Sequence, residues 1–246
     1  MFDRWAEAGQ SWPQSSDEAR WGIPGVLACF FGAQVLAVVW AVMASGVVYG
    51  SDPIPAVADR PIWTLLLFNL GLWVGYLVFP IVARRVSGSG PMKDFRSRVD
   101  LFDIGFGALV GVATQLALLP VLYWFVLKVI SGDPDSTAEA FGDRVNNSAD
   151  IVLFGLAVIV VAPIVEEWFF RGMLLPTLSR RFGVVAGIIS SSVVFALVHR
   201  EVILLPGLFC FALILAWLTA KSGRIGPAIV AHMAFNATTV VQLLAL

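Results

Sequence analysis

Ile151–Leu175 reads IVLFGLAVIVVAPIVEEWFFRGMLL. It is an apolar run of the length a helix needs to cross a bilayer, yet it holds Glu166, Glu167 and Arg171. Comparable runs recur on both sides of it. Seven candidate spans lie near Val26–Tyr49, Ile62–Ala83, Phe102–Ile130, Ile151–Leu175, Phe182–Val198, Ile203–Ala220 and Ile225–Leu244. The third is long enough to be tilted or broken, which would make eight segments. The fold class expected is therefore all-α, a polytopic transmembrane helical bundle of seven to eight spans. Residues 1–25 read as a polar cytoplasmic extension without a cleavable signal, and residues 26–246 as a single transmembrane domain.

Composition agrees. Apolar residues make up 59% of the 246 and charged residues 13%, about half the charge of an ordinary soluble domain. The net charge of −1 and the absence of a basic patch outside short loops argue against a nucleic-acid partner. Cys29 and Cys210 lie in apolar runs, where packing roles are expected rather than a disulfide or a metal pair. The preference for Arg over Lys, with abundant Ala, Gly and Val, points to a bacterial cell membrane. Arg84, Arg85, Lys93, Arg96 and Arg98 follow the second span, Arg180 and Arg181 the fourth, and Lys221 and Arg224 the sixth. The opposite loops hold Arg60, Arg144 and Arg200, so a cytoplasmic N-terminus is expected. The external loop SGDPDSTAEAFGDRVNNSAD contains a capping-box pattern at Ser136 and Glu139. Gly71 with Gly75, and Gly107 with Gly111, suit close helix packing.

Ionisable groups at membrane depth face a bundle interior or a wet cavity. Glu167 and Arg171 are an i,i+4 pair in the favourable order, so a packing ion pair is expected of them. Glu166, about 100° round the helix, has no such local partner. A desolvated carboxylate without a fixed cation is an avid proton acceptor. Both histidines of the chain, His199 and His232, come later, and His232 shares a helix face with Asn236. Glu166 and His199 lie about 20–25 Å from their basic loop ends, and Asn236 about 16 Å, at ~1.5 Å per residue. One cavity can hold all of them. Pro163 has no N–H to donate and is expected to kink the fourth span beside a hydrated pocket.

Three motifs stand in order: EEWFFR fits E-E-x-x-x-R, FALVH (Phe195 to His199) fits F-x-x-x-H, and HMAFN fits H-x-x-x-N. Over residues 150 to 246 this resembles the CPBP family of intramembrane proteases, which includes the type II CAAX prenyl endopeptidases and the bacterial Abi proteins. The resemblance implies an endopeptidase cleaving a membrane-associated protein or peptide. It implies Glu166 as general base assisted by His199, and His232 with Asn236 as oxyanion donors. Glu167, Arg171 and Phe195 would support them. No cofactor is expected; were zinc involved, Glu166, His199 and His232 would be its ligands, but H-E-x-x-H is absent. Two other classes use mid-membrane Glu and His or keep such a fold: a proton-coupled transporter, and a non-catalytic scaffold or immunity protein. The chain shows no halves of matching hydropathy, as inverted repeats would leave.

Overall fold

In a computed structural model, the residues described are 22–56, 59–87, 96–134 and 147–245, with backbone alone over 84–87. Residues 1–21 of the N-terminal extension, Lys93, Arg144 and the Ser136–Glu139 capping pattern lie outside them, and the extension's last residues, from Ile23, already belong to the first helix.

The described residues form seven apolar helices and no strand. They are α1 (Ile23–Tyr49), α2 (Ile62–Ser87), α3 (Leu101–Val126), α4 (Ser148–Phe182), α5 (Val184–Val198), α6 (Leu205–Ser222) and α7 (Gly226–Ala245). Within lipid a backbone must satisfy its own N–H and C=O groups, and helices do so segment by segment. Six of these stretches, counting α6 with its preceding turn from Val202, are long and apolar enough to cross a bilayer. The chain is a multi-pass membrane protein.

Two span boundaries differ from the sequence reading. α4 runs on to Phe182, so Arg180 and Arg181 stand in its last turn rather than in a loop. Basic side chains suit a helix C-terminus, where the backbone dipole is negative. Gly183, at φ +89, then turns the chain directly into α5. At 15 residues α5 spans only about 22 Å, less than the ~30 Å hydrocarbon thickness. The third span is one continuous stretch, not two.

Three segments are π-helical: Thr114–Leu118 in α3, and Leu156–Val161 and Phe170–Leu174 in α4. Each is followed two residues on by proline: Pro120, Pro163 and Pro176. A proline ring clashes with the carbonyl four residues back, and a widened turn moves that carbonyl away. The prolines therefore widen the helices without breaking them.

Close approach of helices is the attraction available where lipid is as apolar as leucine. A Cβ on Gly75 would lie 2.7 Å from Ala33 Cα, and one on Gly71 2.5 Å from Trp40 Cβ, so α2 packs directly on α1. A Cβ on Gly107 would lie 2.9 Å from the Pro227 carbonyl oxygen. One on Gly111 would collide with the Ala231 carbonyl, so α3 packs equally closely on α7. Both glycine pairs are packing positions.

At one end of the bundle Arg224 clamps α3 to the α6–α7 turn. Its Nη2 and Nε lie 2.6 and 3.1 Å from the two oxygens of Asp103, which is wholly buried. Asp100 adds a contact at 3.1 Å, and its N–H donates to Asp103 Oδ2 at 2.8 Å. Cys29 and Cys210 are free thiols.

Candidate active site

The core cluster around α4 includes Val165, Phe169, Phe170 and Met173 of that helix. It also takes in Cys29 and Ala33 of α1, Tyr76 of α2, Phe195 of α5 and Ala212 of α6. Glu166 to Phe169 sit on the α-helical stretch of the motif helix between its two π turns.

Glu167 is completely buried. Arg171 Nη1 donates to Glu167 Oε1 at 3.1 Å, the i,i+4 pair expected from the sequence. The same oxygen lies 2.9 Å from His232 Nδ1. Arg171 also donates through Nη2 to the Ala212 carbonyl at 3.3 Å and rests 4.4 Å from the Phe195 ring centroid. One buried acid and one buried base therefore hold together α4, α5, α6 and α7. Burial of this pair costs desolvation, offset in part by the two partners on Glu167 Oε1 and the two acceptors of Arg171, while Glu167 Oε2 is buried without a hydrogen-bond partner among the described residues.

Glu166 differs in its surroundings. Its side chain keeps 21% exposure, and Oε2 lies 3.9 Å from His232 Nε2. The imidazole of His232 is hydrogen-bonded to Glu167 through Nδ1 and turns Nε2 towards Glu166 at a distance beyond a hydrogen bond. Phe211 meets its ring edge-on at 5.2 Å, and Phe195 lies at 6.0 Å.

His199 is the C-terminal cap of α5, and its own N–H turns back to the Ala196 and Leu197 carbonyls. That leaves the Phe195 carbonyl available, and His199 Nδ1 sits 2.7 Å from it. A carbonyl can only accept, so Nδ1 carries the hydrogen and the neutral ring presents Nε2 as an acceptor. The Phe195 ring lies 4.8 Å from the His199 ring and 6.0 Å from the His232 ring, in reach of both histidines. No hydrogen bond or ion pair among the described residues joins His199 to Glu166. Arg200 follows at φ +61, an uncommon conformation for a side chain with a Cβ, and ends α5 abruptly.

Asn236 lies one turn beyond His232 on the same face of α7. Its amide Nδ2 donates to the Val158 carbonyl in α4 at 2.8 Å. The helices run antiparallel, so the earlier residue of α4 meets the later residue of α7. Among the described residues no three His, Cys, Asp or Glu side chains form a group able to hold a metal ion.

Sequence reasoning missed the bond from His232 to Glu167, the bond from Asn236 to Val158, and Tyr76. Tyr76 stacks on Phe169 at 4.5 Å and accepts a hydrogen bond from Gln34 Nε2 at 2.9 Å. A tyrosine within an apolar span is the signal that could have flagged it.

Residues 148–238 match the family model "Type II CAAX prenyl endopeptidase Rce1-like". The matched region takes in α4 to α7 up to Thr238, and with it all three motifs. No curated protein and no solved structure matches the chain.

Proposed function

We propose that this chain, which carries the CAAX protease family's region at 148–238, is an intramembrane endopeptidase using Glu166 to activate water. The family supports protease activity within the membrane in general. The choice of Glu166 rests on one observation. Glu167 is sealed and engaged by Arg171 and His232, whereas Glu166 stays partly open and bordered by an imidazole.

The substrate is a membrane-associated protein or peptide. Glu166 takes a proton from a water molecule as its oxygen attacks the scissile carbonyl carbon. His199, with Nε2 free to accept, orients that water or shares its proton. The carbonyl π electrons move onto oxygen, and His232 Nε2 and the second N–H of Asn236 donate to the oxyanion. His232 donates through Nε2 while Nδ1 serves Glu167 only as the imidazolium, so the two neighbouring carboxylates compensate its charge. Collapse breaks the C–N bond, and the proton held by Glu166 passes to the leaving amine.

The test is hydrolysis of membrane-tethered peptides by purified protein in lipid. Glu166→Gln should abolish cleavage with helix content and thermal midpoint unchanged, and cleavage by native protein should survive chelation. Full activity in Glu166→Gln rejects the base assignment, and loss on chelation with rescue by Zn²⁺ rejects the metal-free route.

A further inference from the structure

The π turn Leu156–Val161 closes with the Ala162 N–H reaching five residues back to the Ala157 carbonyl. The next donor in that register would serve the Val158 carbonyl. It belongs to Pro163, which has no N–H. The carbonyl that proline leaves unserved is the one Asn236 Nδ2 occupies at 2.8 Å.

We infer that Asn236 is a positioning residue for Glu166: its amide replaces the hydrogen Pro163 lacks and holds the widened turn of α4. A π turn is equivalent to one extra residue in the helix. Were it to rewind to α geometry, every later side chain would rotate by about 100° relative to the part before it. Glu166, three residues past Pro163, would then swing away from His232. Rewinding is opposed by the proline ring, and the widened form is stabilised when its unserved carbonyl finds a donor. A side chain carried on α7 is held there by helix packing, whereas a water in its place would have to be ordered at an entropic cost. Asn236 has two amide hydrogens, so serving Val158 leaves one for substrate. The catalytic consequence rests on Glu166 being the base, but the bond itself does not.

The experiment is a double-mutant cycle between Asn236 and Pro163, since Pro163→Ala restores an N–H at the position Asn236 now serves. Asn236→Ala should lower kcat with little change in KM. In the Pro163→Ala background that loss should be smaller by about tenfold, roughly the worth of one buried hydrogen bond. A difference under about threefold overturns the inference and leaves Asn236 with the substrate alone. Asn236→Leu, close in size and without a donor, serves if the alanine variant does not fold, and Pro163→Ser serves in place of Pro163→Ala.

The same cycle is read by thermal midpoint in detergent. The drop caused by Asn236→Leu should fall by more than half once residue 163 carries an N–H, and equal drops overturn the inference. Thermal coupling without kinetic coupling also overturns it, because Asn236 would then hold Val158 without positioning Glu166. A native protein that cleaves nothing sinks the protease reading alone, and the thermal arm then decides the Asn236–Val158 link.

Discussion

Glu166 and Glu167 are chemically identical neighbours, and the 100° between them assigns their roles. Glu167 turns inward to Arg171 and His232, and Glu166 turns to a partly open space. Removing one partner of a buried ion pair strands the other charge and typically costs about 3–5 kcal/mol. Glu167→Leu and Arg171→Leu should each lower stability on that scale in thermal unfolding. The double variant should lose less than the two losses summed, because no charge remains unpaired. Additive losses would show that Arg171 draws its support from Ala212 and Phe195 instead. The Glu167–Arg171 pair is legible in the sequence because i,i+4 proximity is a property of any helix. The bond from His232 to Glu167 spans 65 positions, and no local pattern encodes which helix faces which.

At the scale of elements, α7 carries both His232 and Asn236, and α3 determines where α7 lies. A side chain at Gly111 would strike the Ala231 carbonyl and the Phe235 N–H, next to His232. Gly111→Val should therefore force α7 outward, at about 1–3 kcal/mol of overpacking, and should lose most activity. Gly105→Val, at a position with open space around it, should lose neither stability nor activity. Thermal midpoints and peptide cleavage check both, and equal effects at the two sites would refute a packing cause.

The glycine spacing makes this contact legible, since small residues four apart line one helix face. Where helices end is less legible. Arg180 and Arg181 read as a loop because arginines avoid lipid, yet they cap the long α4, whose final turn is strongly amphipathic. The prolines are visible in the sequence, but the widened turns before them depend on what packs alongside. Val158 needs Asn236, and nothing near Val158 in the chain announces that.

For the whole molecule, the basic residues gather at one end. Arg96 donates to the Gly223 carbonyl at 2.8 Å, and Arg224 clamps Asp103. Burial, and then the like charge of Arg180, pulls the Arg96 guanidinium below its usual range. That last effect places α4's final turn close to the same corner. The far end holds Arg60 and Lys128, the latter over the Trp124 ring. Positive charge is retained on the cytoplasmic side during insertion, so the Arg224 end should face the cytoplasm. α5 begins at that end and spans only about 22 Å, so His199 should stop short of the outer surface, at the depth of Glu166 and Glu167. In intact cells, with Cys29 and Cys210 replaced by alanine, a cysteine at Lys221 should resist an impermeant maleimide and one at Asp133 should react. Introduced at position 199, a cysteine should react with a small permeant thiol reagent and not with the impermeant one. The reverse pattern at Lys221 and Asp133 would invert the molecule in the membrane. Rapid impermeant labelling at position 199 would place that histidine at a surface instead of inside the bilayer.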